Sequence, residues 1–148
     1  MKGYWRQRDA TEEILMSDGW MRTGDIGYFD SDGYVYLVDR LKELIKYKAQ
    51  QVAPAELEDI IQSNPAVLDA AVIGVPDEAV GEIPTAFIVR KEGAVLGAAE
   101  LMDYVAARVA PHKKVRAVEF IDVIPKSTSG KVLRRVLRDV IRTRNAGG

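Results

Sequence analysis

Residues 70–89, AAVIGVPDEAVGEIPTAFIV, hold two short apolar runs, 70–75 and 85–89, on either side of the turn-forming and acidic stretch 76–84. Apolar runs this short, bounded by turn signals, read as buried strands rather than helices. Buried strands need covering layers, and the flanking sequence supplies them. Upstream, Pro54 stands at a first helical position, with Glu56 and Glu58 where the helix dipole favours acids. Asn64-Pro65 stops that helix. Downstream, Leu101, Tyr104, Val105, Arg108 and Val109 give helical spacing over 98–109, ended by Ala110-Pro111, and 117–121 supplies a third strand. From Lys131 onward Val132, Leu133, Val136, Leu137, Val140 and Ile141 interleave with Arg134, Arg135, Arg138 and Arg142. That pattern predicts an amphipathic helix with a basic stripe, expected to be a solvated face.

Before this region, 26–29 and 34–38 alternate around Asp30-Ser31-Asp32-Gly33 as a β-hairpin, and 43–47 with 50–52 form a shorter pair. A short helix is expected over 10–16, and the tail 145–148 is expected to be disordered. The fold class is therefore α+β, a small sheet of about three strands flanked by helices and preceded by two β-hairpins around a hinge.

The composition narrows the function classes. With 148 residues, 47% hydrophobic and 29% charged, and a net charge of -1, the chain is sized for one core and has no overall field for nucleic acid or anionic membrane. It contains no cysteine, which removes disulfides, thiolate metal sites and cysteine nucleophiles together. No run is long and apolar enough for a membrane span, and the first residues lack a signal-like apolar segment. The sequence reads as soluble, cytoplasmic and not exported. His112 is the only histidine, so no metal site is expected, and it reads as an exposed turn residue.

Three stretches carry possible chemistry. PKSTSGKVLRR, 125–135, is not a phosphate-binding P-loop, because Pro125 stands where the first glycine belongs and Val132 where Ser or Thr belongs. What remains is Lys131 after a small, hydroxyl-rich loop at the start of a helix whose amides also favour an anion. It is either a mobile ammonium serving a site or a solvated helix-start lysine. Asp25, after Thr23-Gly24, could accept hydrogen bonds from a vicinal diol such as a ribose, or could be a turn aspartate. Arg40, between the two hairpins, could reach the same diol, or could form a surface ion pair of little weight.

Taken in order, YWRQRDATEE (4–13), GWMRTGDIGYFDSDGYVYLVDRLKELIKYKAQQVAPAELE (19–58) and PKSTSGKVLRR resemble the C-terminal part of the adenylate-forming superfamily. The wording VDRLKELIKYK and QVAPAELE is similar to its 4-coumarate:CoA ligase, fatty acyl-CoA ligase and luciferase branch. The resemblance implies a large N-terminal domain holding ATP, Mg2+ and a carboxylic acid, and a small lid that closes over it, first for acyl-AMP formation and then, rotated, for transfer to CoA. On that pattern Asp25 matches the ribose-binding aspartate, Arg40 a second nucleotide contact and Lys42 the hinge. Lys46 and Gln51 match positions that approach the active site, and Lys131 matches the adenylation lysine, delivered by a flexible loop. Where the branch usually has glycine lining the CoA channel, this chain has Ala49, and a left-handed backbone there would strain alanine.

The same resemblance makes 1–39 the end of the large domain, 40–144 the mobile lid and 145–148 a disordered tail. The phosphate loop and acid pocket would lie in a missing N-terminal ATP-binding domain. The chain alone is then expected to be inactive and to hold no cofactor tightly. The alternative is a free-standing binding or regulatory module with the same fold.

Overall fold

The computed structural model of the protein describes the backbone of residues 1–146 and the side chains of residues 1–144. The chain divides into two units, Met1–Lys42 and Glu43–Gly148, so Arg40 and Lys42 fall in the first.

The second unit is built on β5 (Val67–Asp77) and β6 (Gly81–Arg90), paired antiparallel from Val67↔Arg90 to Asp77↔Gly81. Their side chains alternate between two cores. Ala70, Val72, Ala86 and Ile88 face one core, and Ala71, Ile73, Phe87 and Val89 the other. Burial on both faces is why the sequence shows unbroken apolar runs instead of alternation. The first core is closed by α2 (Pro54–Gln62), through Leu57 and Ile61, and by α3 (Ala98–Ala106), through Leu101 and Val105. The second is closed by Ile124 and by Leu137 of α4 (Arg134–Ala146), with Val132 and Ile141 packed against them.

Both strands run further toward each other than the turn residues suggest, leaving only 78–80 between them. The Asp77 carboxylate accepts the amides of Ala79 at 2.9 Å and Val80 at 3.0 Å and so closes the turn. Pro84 lies inside β6 without breaking it. Beside β6, β3 (Ile45–Tyr47) pairs at Tyr47↔Gly81, and β7 (Ala117–Phe120) runs parallel from Thr85↔Ala117. Pro84 falls in the gap between them, where its carbonyl accepts Arg116 N–H at 2.8 Å and no ladder needs the N–H that proline lacks. With β4 (Gln50–Val52) paired to β3, the sheet has five strands, because the expected second hairpin is its edge and not a separate element.

The first unit contains α1 (Arg8–Ile14) and the hairpin of β1 (Asp25–Phe29) and β2 (Val35–Arg40). None of its residues is buried, so it has no core of its own. Tyr28 and Tyr36 stack across the hairpin at 5.1 Å. At the turn, the Asp30 carboxylate accepts the amides of Asp32 at 3.0 Å and Tyr34 at 2.9 Å.

Three expectations change. The last helix starts at Arg134, not Lys131, because residues 125–133 form a small hairpin that consumes the preceding backbone groups. The expected tail is helical at residues 145 and 146, and residues 147 and 148 lie outside those described. His112 is half-buried in the 3-10 turn Pro111–Lys113 instead of exposed.

Two predictions follow from this packing. Leu137→Ala opens a cavity under α4 and should cost about 2 to 5 kcal/mol in urea unfolding of the second unit. The amide of Tyr34 holds the Asp30 carboxyl below its ordinary value, with smaller help from the Tyr36 hydroxyl and the amides of Asp32 and Gly33. A carboxyl lowered in the folded hairpin stabilises it above the unfolded value, and that contribution disappears as pH falls through the lowered value. Hydrogen exchange at the Asp32 and Tyr34 amides should therefore lose protection on acidification. Asp30→Ala should remove both the neutral-pH protection and its acid dependence.

Candidate functional site

The residues singled out in the sequence fall into three groups. Asp25 and Arg40 are direct cross-strand partners at the open end of β1 and β2, with Arg40 Nε 3.4 Å from Asp25 Oδ1. Gly24, in the left-handed region at φ +76°, turns the chain into β1, and its carbonyl accepts Leu41 N–H at 2.8 Å, which closes this end of the hairpin. The pair is exposed enough, at 28% for Asp25 and 66% for Arg40, to leave carboxylate lone pairs and guanidinium N–H groups for a ligand. Gly24 and Arg40 also line a cleft of about 610 Å³ with Thr23, Leu41 and Lys42. Lys42 is the last residue of the first unit, inside the 3-10 turn Leu41–Glu43.

Lys46 and Gln51 are likewise opposite one another, in the β3–β4 hairpin, and both are exposed, while their neighbours Ile45 and Val52 are buried. The two residues that join these strands, Lys48 at φ +46° and Ala49 at φ +62°, are both left-handed. That is the signature of a primed two-residue hairpin turn, which normally uses Asn-Gly because each left-handed L-residue costs about 1 to 2 kcal/mol. The Lys48 amide anchors the turn by donating to the Val80 carbonyl at 2.9 Å.

Lys131 lies on the hairpin before α4. This stretch is not an open loop. Gly130 N–H donates to the Ser127 carbonyl at 2.9 Å, Ser127 N–H to the Lys131 carbonyl at 2.8 Å, and Leu133 N–H to the Pro125 carbonyl at 2.8 Å. Gly130 at φ +81° supplies the left-handed residue of a three-residue turn with a bulge. The Lys131 amide donates to Ser127 Oγ at 3.2 Å, and its exposed side chain has no ion pair among the described residues. Small hydroxyl residues serve here to close the turn, and the helix amides at Arg134 begin too late to share a ligand with the residue-131 backbone.

The basic stripe is only partly solvated. Arg134, 17% exposed, donates to Glu58 Oε1 at 2.8 Å and lies 3.6 Å from Glu43 Oε2, while Arg138 is 3.8 Å from the same Glu43 oxygen. Glu58 Oε1 also accepts Val72 N–H at 2.8 Å, and Arg134 Nε points at the Val72 carbonyl at 3.4 Å. Lys126, at the base of the Lys131 hairpin, pairs with Asp69 at 2.5 Å. None of these partners was legible from spacing. Arg134 and Glu58 each stood inside a stretch already singled out, but only the fold brings them together.

Among the described residues there is no group of three or more His, Cys, Asp or Glu side chains that could hold a metal ion, and no helix long and apolar enough to cross a membrane. The profile of the AMP-binding enzyme C-terminal domain matches residues 56–131, from α2 to the lysine of this hairpin. The chain belongs to that family. This AMP-binding enzyme C-terminal domain is 57% identical over 139 residues to 4-coumarate–CoA ligase-like 9 of Oryza sativa subsp. japonica, covering 94% of this chain and 25% of the relative. The protein of the same name from Arabidopsis thaliana is 56% identical over 146 residues, covering 99% of this chain and 26% of the relative. The crystal structure of ATP-bound MatB from Rhodopseudomonas palustris superposes with a TM-score of 0.88 at 38% identity, covering 94% of this chain and 28% of that one. The chain thus spans about a quarter of the length of the curated relatives it matches.

Ala49→Gly should relieve the turn. Allowing for the entropy glycine adds to the unfolded chain, a gain of about 0.5 to 1 kcal/mol is expected in urea unfolding.

Proposed function

We propose that this chain acts as the mobile C-terminal lid of an ATP-dependent carboxylate:CoA ligase, with an ATP-binding domain preceding it. The observation that carries this reading is Lys131, an exposed ammonium without an ion partner among the described residues, held at the base of a closed turn. The likeness to proteins named as CoA ligases supports the reaction class, and the ATP-bound neighbour supports the nucleotide.

In the first step a carboxylate oxygen of the acid attacks the α-phosphorus of ATP, and the bond to the leaving pyrophosphate breaks. Lys131 bridges the carboxylate oxygen and the α-phosphate, where negative charge accumulates. Asp25 accepts hydrogen bonds from the ribose hydroxyls, and Arg40, its neighbour at 3.4 Å, holds the carboxylate in place and contacts the same nucleotide. In the second step the CoA sulfur attacks the acyl carbon, the bond to AMP breaks and the thiol proton is released. Lys46, Gln51 and the backbone at Ala49 then line the approach, with Lys42 as the hinge between the two arrangements.

Mg2+, held with the nucleotide by the preceding domain, would neutralise charge on the phosphates. Because Lys131 sits on a hydrogen-bonded hairpin, its delivery and withdrawal are assigned to movement of the whole lid rather than to a loose loop.

The test replaces the matched quarter of the rice relative with this chain and follows acid-dependent exchange of pyrophosphate into ATP. Lys131→Ala should lower exchange by about 10² to 10³, the loss typical of one preorganised donor. Thioester formation from supplied acyl-AMP should persist. Equal loss in both half-reactions would refute the assignment of Lys131 to adenylation.

A further inference from the structure

Three features of the second unit are unused by the reading above. One is an open groove of about 570 Å³ between Gly74, Glu82, Arg138 and Ile141. Another is the Lys126–Asp69 pair, and the third is the cluster of Arg134 with Glu58 and Glu43. The last is built most fully. We infer that Arg134 is a positioning residue for Lys131, clamping the end of the lysine-bearing hairpin to the open edge of the sheet. The inference rests on the adenylation role proposed for Lys131.

β5 pairs with β6 on one side only, so on its other side the Val72 backbone faces no strand. Val72 is nevertheless fully buried. Its N–H donates to Glu58 from α2, its carbonyl faces Arg134 from α4, and Glu58 and Arg134 join at 2.8 Å. The ring therefore satisfies both groups of a buried strand edge and ties the helical layer on one face to the layer on the other. Arg134 is three residues beyond Lys131, with Leu133 N–H bonded back to Pro125 between them, so fixing its guanidinium fixes that end of the hairpin. The other end is fixed by Lys126 on Asp69, also on β5. Lys131 is suspended between two anchors on one strand.

Glu43 Oε2 contributes a third point. It is buried and has no hydrogen-bond partner, yet it lies 3.6 Å from Arg134 and 3.8 Å from Arg138. A buried carboxylate oxygen in that state is held by charge alone, and it follows the proposed hinge residue Lys42 directly in the chain. Arg134 thus couples the anchoring of Lys131 to the first residue of the second unit.

The test uses two readouts on Arg134→Gln. In this chain, hydrogen exchange should speed up at the Ser127 and Leu133 amides while the β5–β6 amides keep their protection. Loss of protection throughout would make Arg134 a general structural residue and overturn the inference. In the hybrid with the rice relative, adenylation should fall by about 10- to 100-fold, as expected when a reacting group is displaced by about 1 Å. Thioester formation from acyl-AMP should stay within about threefold, and Arg134→Lys should recover most of the loss. Unchanged adenylation, or equal loss of both steps, would refute positioning. Lys131→Ala run alongside separates the two ideas. Its selective loss with Arg134→Gln silent overturns only the clamp, and its failure to lose adenylation selectively overturns both.

Discussion

The structure of the second unit depends on β5 and β6 being buried on both faces. A strand pair with one wet face could be finished by α2 and α3 alone. Because Ala71, Ile73, Phe87 and Val89 are as apolar as the residues on the opposite face, a second cover is obligatory, and α4 supplies it through Leu137. The segment that carries Lys131 is the segment that leads into α4, so hydrophobic closure of the second core is what brings the lysine to a defined place.

The price of two covered faces is a point on the strand edge, at Val72, that is closed to water. At Val72 the backbone of β5 is enclosed without a neighbouring strand, and its polar groups are met by Glu58 and Arg134. Charged residues in such a place are stable only as a connected set, which is why the basic stripe of α4 has an inner, paired part and an outer, solvated part. Arg142, 79% exposed and 3.7 Å from Asp139, belongs to the outer part. The first unit is held differently, by an asparagine-like use of Asp30 in its turn and by Tyr28 stacked on Tyr36, with no buried residue behind them.

Lys48 and Ala49 show a local cost accepted for a tight reversal. The strands β3 and β4 leave room for only two residues between Tyr47 and Gln50, and the right-handed strand twist demands left-handed conformations at both. Alanine takes one of them where glycine would be unstrained. The strain lies between Lys46 and Gln51, the pair proposed to line the approach of the second substrate.

The sequence by itself determined the class of the fold, the strands at its centre, the helix from Pro54 that Asn64-Pro65 stops, a helix over 98–109 whose observed end is Ala106, and the residues of the three motifs. Each of these is written in neighbouring positions, as an apolar run, a helical period or a turn signal. It also marked Asp25, Arg40, Lys46, Gln51 and Lys131 one by one through the resemblance. Only the tertiary structure decided that the second hairpin joins the sheet, that Lys131 precedes the last helix on a closed turn, and that Arg134 and Glu58, 76 residues apart, share a buried strand edge. Register, edge closure and ion pairing between distant segments are set by which surfaces must leave water together, and no short window of sequence contains that information.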